Sequence, residues 1–118
     1  MNSVIEIVGK NERVVAVFTT HDKWNSNLNI NSNDTGYTGD WIMRKNPNVE
    51  VLVIYQRVEG VNNIYKGYIT SIEGPLSQYV KSSRFKIHFK KIKLIGVTGS
   101  TWPEFANCGA NPVRYINT

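Results

Sequence analysis

A chain of 118 residues and 13.4 kDa accommodates one domain, residues 1–118, and is too short for two. With 41% apolar and 19% charged residues its composition is that of a globular protein rather than a disordered one, and no apolar run approaches the roughly 18 residues that cross a bilayer. A single cysteine, Cys108, excludes an internal disulfide framework, the net charge of +5 favours polyanionic partners, and the absence of a basic-then-apolar leader pattern leads to the expectation of a cytoplasmic protein.

Period-2 alternation dominates, and no long amphipathic helix is present. Residues 4–8 read as a short strand, followed by a turn at Gly9-Lys10-Asn11-Glu12 and a second strand over 13–18. Asn25, Asn27, Asn29, Asn31 and Asn33 then alternate with Ser26, Leu28, Ile30 and Ser32. Asn disfavours strands and favours turns, so a long loop is expected here. Residues 49–58 are apolar on both parities, as in a central strand. Glu59-Gly60-Val61-Asn62-Asn63 turns the chain into a hairpin partner over 64–72. Pro75, with Leu76, Tyr79 and Val80 on one helical face, predicts a short helix over 74–80. In the strand over 84–95, Phe85, Ile87 and Phe89 share one parity and Ile92 and Leu94 the other, so Lys90-Lys91 marks a β-bulge. Thr101-Trp102-Pro103-Glu104 fits a capping box that opens a second short helix, with Gly109 as its stop. The fold class expected is mainly β, with short helices beside a small pseudo-barrel of bent strands.

Charge is distributed unevenly. Lys81, Arg84, Lys86, Lys90, Lys91 and Lys93 fall in one stretch without an acidic residue, and the rest of the chain is nearly neutral. Such a stripe reads either as a phosphate track or as a solvated strand face that carries lysine for solubility. The inventory for catalysis is thin. His21, His88 and Cys108 do not suffice for a Cys/His zinc site, and no nucleotide-loop, nucleophile-elbow or metalloprotease motif is present. His21-Asp22 are chain neighbours, Cys108 lies near a helix end, and Asp22, Asp34, Asp40 and Glu50 are scattered, so neither an enzyme nor a metal or other cofactor is expected.

Aromatic residues are better represented, with three Trp, six Tyr and four Phe. Trp24 lies in the Asn-rich stretch, Trp41 follows Gly39-Asp40, and Trp102 opens the segment leading to Asn111-Pro112-Val113-Arg114-Tyr115. Aromatic rings with an amide or carboxylate at the rim can hold an unstacked base, and the same residues can close the end of a barrel core.

Trp24-Asn25, Gly39-Asp40-Trp41, Val53-Ile54-Tyr55-Gln56-Arg57, Tyr65-Lys66-Gly67 and the Trp102-Pro103-Glu104-Phe105…Asn111-Pro112-Val113-Arg114-Tyr115 ending resemble, in pattern and order over about residues 20–116, small PUA-like domains, particularly the EVE-type branch. The resemblance implies a pseudo-barrel of five or six strands that binds RNA, or DNA carrying modified bases, with the base in an aromatic-lined pocket. It also implies a free-standing reader or a subunit working with a separately encoded nuclease. The functional expectation is therefore a non-catalytic nucleic-acid-binding module. Its base pocket would draw on Trp24, Asn25, Asp40, Trp41, Tyr55, Trp102 and Asn111, and its phosphate contacts on Arg57, Lys81, Arg84, Lys86, Lys90, Lys91, Lys93 and Arg114. The competing expectation is a protein-interaction module of phage or mobile-element origin that binds a host protein.

Overall fold

The computed structural model describes residues 1–20, 27–59, 61–77 and 83–118. Among the described residues, seven strands run β1 (Val14–Thr20), β2 (Leu28–Ile30), β3 (Gly36–Ile42), β4 (Val51–Val58), β5 (Val61–Glu73), β6 (Arg84–Thr98) and β7 (Val113–Ile116), with one short α-helix, α1 (Trp102–Ala106). They form one sheet in the order β2-β3-β6-β5-β4-β1-β7. The protein is mainly β, as its alternation predicts. No helix among the described residues is long and apolar enough to cross a membrane.

The sheet is mixed. β1 pairs parallel to β4, with Val14 opposite Val51, and every other ladder is antiparallel. β4 is buried from Val51 to Tyr55, because both of its faces are covered. On one face, Val14, Ala16, Val51, Val53, Tyr55 and Ile64 pack against Trp102, Phe105 and Ala106 of α1 and against Val4. On the other, Val15, Val17, Leu52 and Ile54 share a core with Trp41, Phe85, Ile87, Phe89 and Val113. Strands that stand apart in the sheet order can share that second core only if the sheet rolls on itself. Arg44, just past β3, accordingly reaches β7: its N–H donates to the Tyr115 hydroxyl at 3.0 Å and its guanidinium lies 3.8 Å from the ring centroid. Burying each such Val or Ile contributes about 1.5–3 kcal/mol, so the two cores hold the roll.

Several local expectations are corrected. Residues 4–7 form a 3-10 turn rather than a strand, because the Ser3 hydroxyl accepts the Ile5 N–H and the Glu6 carboxylate folds back to the Asn2 N–H. Part of the Asn-rich segment is strand: β2 pairs with β3 from Leu28↔Thr38 to Ile30↔Gly36. Gly36 allows this pairing, since a Cβ there would sit 1.9 Å from the Asn29 carbonyl oxygen. The β4–β5 turn is tighter than expected, Val61 already pairing with Val58. α1 ends at Ala106 with Asn107 in the left-handed region (φ 54°), ahead of Gly109. At the other predicted helix, residues 74–77 are non-helical, the Leu76 N–H bonding the Arg84 carbonyl, and residues 78–82 lie outside the described residues.

The predicted bulge is present. Tyr68 pairs with Lys90 and Lys66 with Lys93, so Lys91 and Ile92 together oppose Gly67. Lys91 has φ 53°, and a Cβ on Gly67 would come within 2.7 Å of Ile92 Cδ1 and 3.1 Å of the Lys90 carbonyl oxygen. A bulge with a left-handed first residue needs a small partner, and Gly67 supplies it.

Candidate functional site

One end of the first core opens into a cavity of about 460 Å³. Phe18 from β1, Tyr55 and Arg57 from β4, Asn62 from β5, and Trp102 with Pro103 from α1 line most of it. The rings interlock, with centroids 5.5 Å apart for Phe18–Tyr55, 5.8 Å for Phe18–Trp102 and 5.6 Å for the edge-on Tyr55–Trp102 pair.

α1 is short, and its ends are held by side chains. Thr101 and Glu104 close the capping box, Glu104 Oε1 accepting the Thr101 N–H at 3.2 Å. The Thr101 hydrogen bonds hold the Glu104 carboxyl below the usual carboxylate range. At the other end Arg114 donates to the Ala106 and Asn107 carbonyls. These caps seat Trp102 and Phe105 on β4.

The polar atoms of the two largest rings are already committed. Tyr55 donates its hydroxyl to the Ser100 carbonyl at 2.8 Å, and Trp102 Nε1 donates to the Asn111 carbonyl at 2.7 Å. Burial pushes the Tyr55 phenol upward against the opposing effect of Arg57, so it stays neutral. Tyr55 and Trp102 are 2% and 5% exposed, so half-buried Phe18 offers most of the ring surface, and polar reading falls to Asn62 and Arg57. Asn62 Nδ2 faces two carbonyl oxygens, Thr98 at 3.0 Å and Ser100 at 3.4 Å, which fixes the amide and leaves Oδ1 as its acceptor. Arg57 is exposed at the rim.

β6 carries the cationic residues. Phe85, Ile87 and Phe89 are buried, and Arg84, Lys86, His88 and Lys90 take the opposite face, as the parity predicts. Their partners differ. Arg84 Nη1 donates to the Asp40 carbonyl at 3.0 Å, His88 Nε2 lies 2.8 Å from Glu73 Oε1, and Lys93 pairs with Asp34 at 2.5 Å. Lys86 Nζ stands 4.7 Å from the Tyr37 ring centroid. Lys90 and Lys91 are exposed, with no ion pair among the described residues.

The structure thus brings together Tyr55, Arg57 and Trp102 and separates the other predicted site residues that it describes. Trp41 lies in the second core and is not part of the cavity lining, its Nε1 donating to the Thr38 hydroxyl at 3.2 Å. Asp40 is on β3 beside Arg84 rather than at the cavity. Asn111 serves as support: its carbonyl holds Trp102 and its Oδ1 accepts the Val113 N–H. Arg114 is occupied by the end of α1. Trp24, Asn25 and Lys81 lie outside the described residues, as does His21-Asp22. The cavity and the cationic face are not side by side. Gly99, at the cavity, follows the end of β6, whereas Lys86 and Lys90 lie toward its start, about 30 Å back along the strand path from Gly99 to Lys90.

Phe18 and Asn62 escaped the sequence reading because Phe18 looks ordinary on its strand and Asn62 reads as a turn residue. Their roles arise from the parallel β1–β4 pairing and the tight β4–β5 turn, which bring both beside Tyr55 and Arg57. Cys108 is half-buried, its Sγ donating to the Asn111 carbonyl at 3.4 Å. Burial pushes its thiol up despite Arg114, which disfavours the thiolate needed of a nucleophile.

No protein-family model matches this chain, and no curated protein or solved structure matches it either.

Proposed function

We propose that the chain is a non-catalytic nucleic-acid-binding module of PUA-like type that holds one planar base in the cavity between Phe18, Tyr55 and Trp102. The observation that carries this reading is the meeting of three aromatic residues around an opening of about 460 Å³ with Arg57 and Asn62 among its lining residues. Cavities of roughly 300–1,000 Å³ with mostly apolar walls and few polar groups are the usual form of a site for a small planar ligand. A base stacks chiefly on Phe18, its polar edge meets Asn62 Oδ1, and Arg57 meets the adjoining phosphate. The space also admits a substituent on the base, which supports recognition of a modified base. The module acts in the cytoplasm, alone or with a separately encoded nuclease.

A titration of intrinsic Trp fluorescence with nucleoside monophosphates, unmodified and base-modified, tests the cavity. Saturable quenching that weakens in Arg57→Ala and Asn62→Ala supports the reading. Equal responses in wild type and both variants oppose it.

A second reading, a protein-interaction module of phage or mobile-element origin, is favoured by one observation. Leu94, Ile95 and Val97 on β6 and Val61 on β5 are 40–55% exposed. Capture of one host protein that survives nuclease treatment and high salt, and is lost in Leu94→Asp, would favour it.

A further inference from the structure

We infer that the outer face of β3, β6 and β5 is a second contact surface, which binds single-stranded nucleic acid by stacking bases on Tyr37 and Tyr68 between Lys86, Lys90 and Lys91. This rests on the nucleic-acid reading above and extends it to residues outside the cavity.

Tyr37 on β3 pairs directly with His88, and Tyr68 on β5 pairs directly with Lys90. His88 and Lys90 are two apart on one strand, so both tyrosines share the outer face with Lys86. Tyr37 is 38% exposed and Tyr68 44%. Two strand spacings across and two residues along place them about 12 Å apart, a distance covered by three or four stacked nucleotides at roughly 3.4 Å each. Beside Tyr37 lies a shallow depression of about 260 Å³, lined in part by Asn31, Thr35, Thr70 and His88, which offers polar groups to a base edge.

The electrostatics favour a polyanion. Of two carboxylates near this face, Asp34 is paired with Lys93, and Glu73 is hydrogen-bonded to His88 Nε2. Lys86, Lys90 and Lys91 remain as the cations without a carboxylate partner among the described residues. Lys86 rests over the Tyr37 ring in a solvent-accessible cation–π contact, which is weaker than the stacking of a base. A base therefore displaces the ammonium from the ring and frees it for the phosphate. Paired bases in a duplex present no open ring face to a tyrosine, which makes the unpaired strand the preferred ligand.

Fluorescence anisotropy with a labelled 12-nucleotide single strand, as DNA and as RNA, and with a hairpin duplex of related sequence tests this directly. Tyr37→Ala and Tyr68→Ala are each expected to weaken single-strand binding about tenfold, with Tyr68→Phe within about twofold of wild type. The duplex is expected to bind at least tenfold more weakly than the single strand at equal salt. Unchanged affinity in both Ala variants, loss in Tyr68→Phe equal to that in Tyr68→Ala, or equal binding of the duplex would overturn the inference. The two proposals fail separately. Loss of nucleotide-dependent quenching in Arg57→Ala with strand binding indifferent to the tyrosines retains the cavity alone. Tyrosine-dependent strand binding without any nucleotide response retains the sheet face alone. No binding of either strand at low salt removes the sheet face, and no nucleotide response beside it removes both.

Discussion

Lys91 holds a left-handed backbone directly across the β5–β6 ladder from Gly67, and the two residues define one bulge from opposite sides. Lys91 supplies the extra residue, and Gly67 supplies the space its neighbour Ile92 requires. The bulge reverses the parity of β6, so Phe89 and Ile92 both face the core with two lysines between them. It thereby keeps Lys90 and Lys91 on the surface of a strand whose other residues hold the roll of the sheet.

A left-handed conformation costs a non-glycine residue about 1–2 kcal/mol, partly offset in glycine by the greater freedom of its unfolded chain. Lys91→Gly is therefore expected to stabilise the fold by about 0.5–1 kcal/mol, raising Tm by a few degrees. The same variant removes one proposed phosphate contact, so nucleic-acid affinity should fall while stability rises. Thermal melting and binding measured on one preparation check both directions.

Thr19 is 1% exposed, and its hydroxyl has no hydrogen-bond partner among the described residues. It continues the parity of Val15 and Val17, which lie in the second core. An unsatisfied buried hydroxyl costs about 1–3 kcal/mol, and valine has nearly the same shape. Thr19→Val is expected to raise stability by about 1 kcal/mol in urea unfolding, with an unchanged m-value.

Much of this architecture is legible in the sequence because burial on one or two faces imposes a parity that the residues must obey. The doubly apolar run from Val51 to Tyr55, the switch at Lys90-Lys91 and the Thr101–Glu104 box are local signals with local causes. The Asn-rich strand was not legible, because its pairing depends on the β3 partner and on the room left by Gly36. Trp41 and Trp102 read alike in sequence, both beside an acidic residue and a turn signal. Only the roll of the sheet distinguishes them, placing Trp41 in the second core and Trp102 at the cavity. Tyr37 and Tyr68 went unassigned because exposure of a strand tyrosine depends on what the neighbouring layers leave uncovered.

The Glu12 carboxylate accepts the Lys66 ammonium at 2.8 Å and the Gly9 N–H at 2.7 Å, while Lys66 also donates to the Ile7 carbonyl. This junction ties the N-terminal turn to β5. The Lys66 hydrogen bond and then the Gly9 bond hold Glu12 below its ordinary value of 4.5. A depressed carboxylate stabilises the fold fully above 4.5 and loses that contribution as the pH falls through the folded value. Glu12→Gln is expected to cost about 1–2 kcal/mol at pH 7 and to flatten the acid limb of the stability curve just below pH 4.5. Denaturant titrations at pH 7, 5, 4 and 3 on both proteins measure the difference.

The salt dependence of single-strand binding tests the central claim most directly. If all six basic residues from Lys81 to Lys93 met phosphates on duplex DNA, the slope of log K against log salt would approach −5. Pairing of Lys93 with Asp34 and the contact of Arg84 with Asp40 leave Lys86, Lys90 and Lys91 as the described cations aimed at a strand. Three contacts to a single strand predict a slope of about −2, reduced in magnitude by about 1.4 in a Lys90→Gln, Lys91→Gln double variant. A slope near zero, or one unchanged in the double variant, would contradict the assignment of this face to nucleic acid.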